Sequence, residues 1–230
     1  SFFLIGAWLL IHLLDQKTQT SPLMGRKLLF LSATAAVVVA ESLLEVVLVF
    51  NIAPGKMISC CTTVTDILDR PTRVVPQSTL GPGYASILGS GYYMSNLFLI
   101  FILGLSMWRL KPKSYARWQR PVLGFTFLFA LFNGVLFVLT QIEVQAPKIM
   151  GLPFHHCLYC LWQYVPDTVL MYLFFALGTF AVGWGFLLDL MGRTGETKDL
   201  LYKHLRMLYG FSIFCLVASI VMNTVHLVAA

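Results

Sequence analysis

Charge is what this sequence has least of. Only 11% of its 230 residues are Asp, Glu, Lys or Arg, against about 25% in an ordinary soluble domain. Too few polar residues remain to cover a water-facing surface, which excludes a soluble globule. The same scarcity excludes a disordered chain, and a fibrous protein has no support in any repeat or low-complexity tract. A nucleic-acid footprint needs a basic patch on a soluble surface, and none is present. What fills the chain instead is apolar: 58% of residues, with a mean hydropathy of +0.78. This is the composition of a polytopic membrane protein surrounded by lipid.

A bilayer core about 30 Å thick takes about 20 apolar residues per helical crossing. Six spans are expected: 1–14, 27–50, 91–110, 122–142, 168–191 and 207–229. Their apolar runs are continuous rather than alternating, which predicts helices and argues against a β-barrel. The first run is short for a crossing and starts without Met, so the chain is either processed or preceded by further residues. The fold class expected is all-α, a single membrane domain over 1–230, built as a six-helix bundle.

Basic residues predict orientation. The connection 15–26 carries Lys17 and Arg26, 109–121 carries Arg109, Lys111, Lys113, Arg117 and Arg120, and 192–206 carries Arg193, Lys198, Lys203 and Arg206. These connections should be cytoplasmic, in an inner or plasma membrane. The formal charge of +6 is then a topology signal. The alternate connections, 51–90 and 143–167, are nearly balanced and should face the periplasm or cell exterior. Both are long and carry prolines. Loops of that length tend to be functional, and the pair is expected to form an outer cap. A short helix lying on the membrane is expected over 62–68.

Four of the five cysteines fall in those two loops. Cys60 and Cys61 are adjacent. Cys157 and Cys160 form a C-x-x-C preceded by His155 and His156. A C-x-x-C at a helix start is a redox geometry, because the helix N-terminus favours the thiolate. Thiolate and imidazole together also suit zinc, copper or iron–sulfur chemistry. His155, His156, Cys157, Cys160, Cys60 and Cys61 are therefore candidate metal ligands, and the four cysteines are candidate redox residues. Two structural disulfides between the loops are a further reading. A bond between adjacent Cys60 and Cys61 would be strained, so each would need a partner in the other loop.

Glu41 and Glu45 lie four residues apart inside the second span, hence on one helix face. Carboxylates at that depth are costly and mark a cavity, a partner charge or a proton path. They are candidates for proton handling or for the polar end of a quinone site. His226, near the outer end of the sixth span, is expected to join Glu45 or the cysteine cap. A b-type haem between helices needs facing histidines at matched depth, and the sequence offers none, so haem ranks below quinone, copper and zinc. Cys215 is expected to be an apolar filler.

Leaving out the first and last spans, four helices remain, with Cys60 and Cys61 after the first and Cys157-Leu158-Tyr159-Cys160 entering the fourth. Over roughly 27–190 this layout resembles the vitamin K epoxide reductase family, and more distantly the DsbB-type quinone-linked disulfide oxidases. The resemblance implies that Cys157 and Cys160 face a quinone. It implies that Cys60 and Cys61 shuttle electrons to an exoplasmic thioredoxin-like partner. The function expected is a membrane redox or electron-transfer protein. The alternatives are a membrane protein holding copper or zinc, and a non-catalytic subunit of a respiratory or transport complex with protein partners in the bilayer.

Overall fold

The computed structural model describes residues 1–51, 65–109 and 119–229. In chain order these form α1 (Phe2–Asp15), α2 (Met24–Asn51), α3 (Pro71–Leu80), α4 (Tyr84–Arg109), α5 (Gln119–Thr140), a π-helical turn (Gln141–Gln145), α6 (Ala146–Ile149), α7 (Leu158–Tyr164), α8 (Thr168–Gly192) and α9 (Lys198–Ala229). No strand occurs among the described residues. Among the described residues five helices are long and apolar enough to cross a membrane: α2, α4, α5 with its continuation, α8 and α9. Helix α1 has 14 residues, about 21 Å at 1.5 Å per residue, less than the hydrocarbon thickness.

Helices α8 and α9 run side by side along most of their length. Small residues permit the close approach. A Cβ added at Gly178 would stand 2.9 Å from Leu216 Cγ and 3.3 Å from Cys215 Cβ. The Gly178 carbonyl accepts a 2.7 Å hydrogen bond from Ser212 Oγ. In lipid, such packing and interhelical hydrogen bonds replace the hydrophobic force between helices. Gly178→Val should therefore destabilise the bundle by about 1–3 kcal/mol, the usual penalty for overpacking. Thermal unfolding in detergent checks this, and an unchanged midpoint would refute the packing argument.

Aromatic rings and amides complete the core. Phe137 of α5 stacks on Phe175 of α8 with ring centroids 3.8 Å apart. Asn133 of α5 donates to Asn96 Oδ1 of α4 at 3.0 Å and accepts from Ser95 Oγ at 2.6 Å. The Trp184 indole of α8 donates to the Phe3 carbonyl of α1 at 2.8 Å.

The bundle has two chemically different ends. At one, Lys27 pairs with the buried Asp15 at 2.7 Å, and Arg26 donates to the Met191 carbonyl. Arg193 and Arg120 both approach Asp189 there. At the other end, the segments 65–84 and 141–160 are tied together by the hydrogen bonds described below. The expected helix over 62–68 lies partly outside the described residues; Asp66 to Leu68 form a bend and turn. Thr65 is π-helical, and the next helix among the described residues begins at Pro71. Arg70 is extended (φ −64°, ψ 140°), as a residue before proline prefers, and Pro71 then suits the first helical position. Gly81, with φ +80°, ends α3, a conformation glycine adopts without a Cβ penalty.

Helix α2 stands apart. Only Lys27 and Thr34 are buried along it, and its main neighbour is α1. Glu41 and Glu45 are both exposed.

Candidate functional site

The site is assembled by an irregularity in α5. In the π-helical turn the Ala146 N–H bonds the Gln141 carbonyl, five residues back. An α-helix would have used the Ile142 carbonyl instead. That carbonyl is released, and His156 Nδ1 takes it at 2.9 Å. A carbonyl only accepts, so Nδ1 carries the proton. The other ring nitrogen, Nε2, lies 3.0 Å from Arg70 Nη2. A guanidinium only donates, so Nε2 accepts. His156 is thereby a neutral imidazole with both nitrogens engaged.

Arg70 is the centre of a buried network. Its Nε and Nη2 donate to the two oxygens of Glu143, each at 2.7 Å. The side chains of Arg70 and Glu143 are 7% and 0% exposed. Thr72 Oγ1 and Tyr84 Oη donate to the same carboxylate at 2.7 and 2.9 Å. This forked pairing with further donors is what permits a charge pair to be buried.

His155 differs from its neighbour. Its Nδ1 lies 2.7 Å from Asp66 Oδ2. The carboxylate accepts, so Nδ1 holds a proton, and in the neutral imidazole Nε2 is the nitrogen open to a metal. Asp66 Oδ1 also accepts the His156 backbone N–H at 3.0 Å. His155, Cys157 and Cys160 then converge, with their ligating atoms within 4.8 Å of one another. Cys157 is buried and caps the start of α7, while Cys160 is partly buried. Donors sharing one zinc ion at 2.0–2.3 Å stand about 3.3–3.8 Å apart, so a small adjustment would close the group on a metal. An imidazole whose far nitrogen is held by a carboxylate is the usual outer support of a metal-ligating histidine.

Asp66 responds to its surroundings in a definite direction. Burial by itself raises its carboxyl, but the His156 N–H and the hydrogen bond and charge of His155 hold it below the ordinary carboxylate range. The stability it contributes is complete above the unfolded value, near 4, and is lost as pH falls through the lower native value. If the group holds metal, Asp66→Asn should weaken affinity about 10–100-fold, the typical loss for such a support. Competition with a chelator at neutral pH measures this, and unchanged affinity would remove Asp66 from the site.

The remaining sequence candidates fall elsewhere. Cys60 and Cys61 lie outside the described residues. Glu41 and Glu45 do not join the His/Cys group. Glu41 lies 3.2 Å from the Ser1 nitrogen. His226 meets Asp167 at 3.2 Å rather than Glu45 or the cysteines. Cys215 is buried in α9. Sequence reasoning overlooked Asp66, Arg70, Thr72, Tyr84 and Glu143. The signal available was their rarity: in a charge-poor chain, Asp66, Arg70 and Glu143 are among the few charges of the two outer connections.

No protein-family model, no curated protein and no solved structure matches the chain. Fold and site together describe an all-helical membrane protein with a His/Cys/Cys group that can hold a metal at one end of the bundle.

Proposed function

We propose that this protein holds a soft transition-metal ion, zinc or copper, at His155, Cys157 and Cys160. The observation that carries the reading is the convergence of His155 with both sulfurs, on a ring whose Nδ1 is held by Asp66. Two thiolates and an imidazole select soft or borderline metals over magnesium or calcium. Three protein ligands leave one tetrahedral position, which suits either transfer of the ion or a fourth ligand. Cys60 and Cys61 are the sequence's candidates for that place.

On this reading α1 is a short sixth crossing, and the connections between α2 and α4 and between α5 and α8 cap the bundle. The His/Cys end then faces the periplasm or exterior, since the basic connections gather at the opposite end.

A thiol-redox role is the second reading. It is favoured by the C-x-x-C sulfurs lying close together at the first turn of α7. The quinone partner implied by the vitamin K epoxide reductase-like layout loses one support, because Glu41 and Glu45 are exposed on α2. That exposed helix also leaves room for the role of a subunit in a larger membrane complex.

Elemental analysis and thiol counting on one purified sample separate the first two readings. About one metal per chain with reduced thiols supports coordination. No metal, with Cys157 and Cys160 oxidised together and reducible by a dithiol, replaces it with the redox role.

A further inference from the structure

Aromatic side chains flank the His/Cys group along the chain and face outward. Phe154 is 84% exposed, and Tyr159, Trp162 and Tyr164 are exposed as well. Tyr159, Trp162 and Gln163 follow the i, i+3, i+4 spacing of one helix face, and all three are exposed. Leu161 and the Cys157 that caps α7 are buried. Grouped exposed aromatics of this kind mark a surface that meets protein or membrane.

Helix α8 fixes the height of this surface in the bilayer. Near the far end of that helix, Asp189 meets Arg193 and Arg120, and such charges gather at the hydrocarbon boundary. From Asp189 back to Thr168, the first residue of α8, a rise of 1.5 Å per residue gives about 32 Å. The hydrocarbon core is about 30 Å thick, so Thr168 stands at the opposite boundary. Only residues 165–167 separate α7 from α8, and the connection is folded tightly. The Val165 carbonyl accepts both the N–H and the hydroxyl of Thr168. The Trp162 ring meets Tyr172 of α8 edge-on, with centroids 5.5 Å apart. Tyr172 lies one turn inside that helix, so Trp162 is held at the boundary rather than above it in water.

We infer that α7 and Phe154 form an interfacial anchor whose partner is the phospholipid headgroup layer at this end of the bundle. Tyr and Trp present an apolar ring with a polar tip, the combination that settles at headgroup level. His155 and Cys157 immediately precede α7, and Cys160 lies on it. The group is thereby held at the bilayer surface, and an ion or a reductant reaches it there. This placement is independent of whether the group binds metal.

Two measurements on the full chain in phosphatidylcholine vesicles test this. The first reads Trp162, 38% exposed, as the difference in fluorescence between the chain and Trp162→Phe. Lipids brominated close to the glycerol end of the acyl chain should quench that difference several-fold more than lipids brominated near the terminal methyl. Quenching by aqueous iodide with none from lipid would place α7 in water, the position for docking a soluble protein, and overturns the proposal. Stronger quenching from the chain ends would place it in the hydrocarbon core, and no quenching from any source would mean that protein covers the face; both overturn it as well. The second is photolabelling of the unmodified chain by phospholipids carrying a diazirine either in the headgroup or at the end of the acyl chain, read by mass spectrometry. The headgroup probe should label residues 152–164 several-fold more than the acyl probe. Equal, reversed or absent labelling overturns the proposal, and this result decides alone should Trp162→Phe not fold.

Discussion

Cys157→Ser is expected to reduce the metal content of the purified protein from about one ion per chain to background. Serine is nearly isosteric, so the packing around position 157 survives. What is lost is the thiolate: a serine hydroxyl stays protonated at neutral pH and is a poor ligand for a soft ion. Cys157 is 3% exposed, so the replacement leaves little solvent to substitute as a ligand. His155→Ala should act in the same direction, because it removes the only imidazole in the group. Cys215→Ser is the control. That residue lies in α9, outside the group, and its replacement should leave the stoichiometry unchanged. Inductively coupled plasma mass spectrometry on matched preparations reads all three. Equal metal in the parent and Cys157→Ser would end the coordination proposal. An intermediate loss confined to Asp66→Asn would instead locate the support without the ligands.

The second large effect concerns stability. Glu143→Gln should cost about 3–5 kcal/mol, the range for removing one partner of a buried ion pair. The reason is the residue left behind. Arg70 is 7% exposed at its side chain, cannot lose its proton, and would retain only neutral contacts. The variant also weakens the acceptor for Thr72 and Tyr84. The double replacement Arg70→Met with Glu143→Leu should recover most of the loss, because it removes both desolvated charges together. Denaturant unfolding of the four proteins gives the cycle. A Glu143→Gln cost below about 1 kcal/mol would show that the pair is solvated as an exposed bridge is. The neighbouring His156 makes the consequence wider than stability. It takes a proton-donating contact from Arg70 and gives one to Ile142, and its backbone N–H binds Asp66. Loosening Arg70 thus reaches His155 through the adjacent residue.

Much of the architecture is legible in the residues. Long apolar runs announce helices in lipid whatever their neighbours do, because backbone groups there must bond within the segment. The five long helices follow the runs read from sequence to within a few residues at most ends. The exceptions are α9, which begins at Lys198 rather than Met207, and α4, which begins at Tyr84 rather than Gly91. Its first turns include Ser86 and Ser90, whose hydroxyls break the apolar run without breaking the helix; Ser90 Oγ bonds the Ser86 carbonyl. The site was legible only in part. His155, Cys157 and Cys160 stand close in sequence and are chemically conspicuous, so local pattern finds them. Asp66 and Arg70 are 89 and 86 positions from their histidine partners, and no local pattern links them.

Residue type and periodicity therefore determined the class of this protein: a helical bundle for the bilayer, with a His/Cys/Cys group near one end. Which partners each histidine meets was decided by tertiary structure alone. Two adjacent, chemically identical side chains differ because the π-helical turn frees the Ile142 carbonyl for His156, while Asp66 reaches His155. The same holds for the glutamates. Glu143 is buried on a guanidinium brought from a distant loop, whereas Glu41 and Glu45 sit on a helix that little else covers. Burial and hydrogen-bond partners come from the placement of other chain segments, and a linear pattern does not contain that placement.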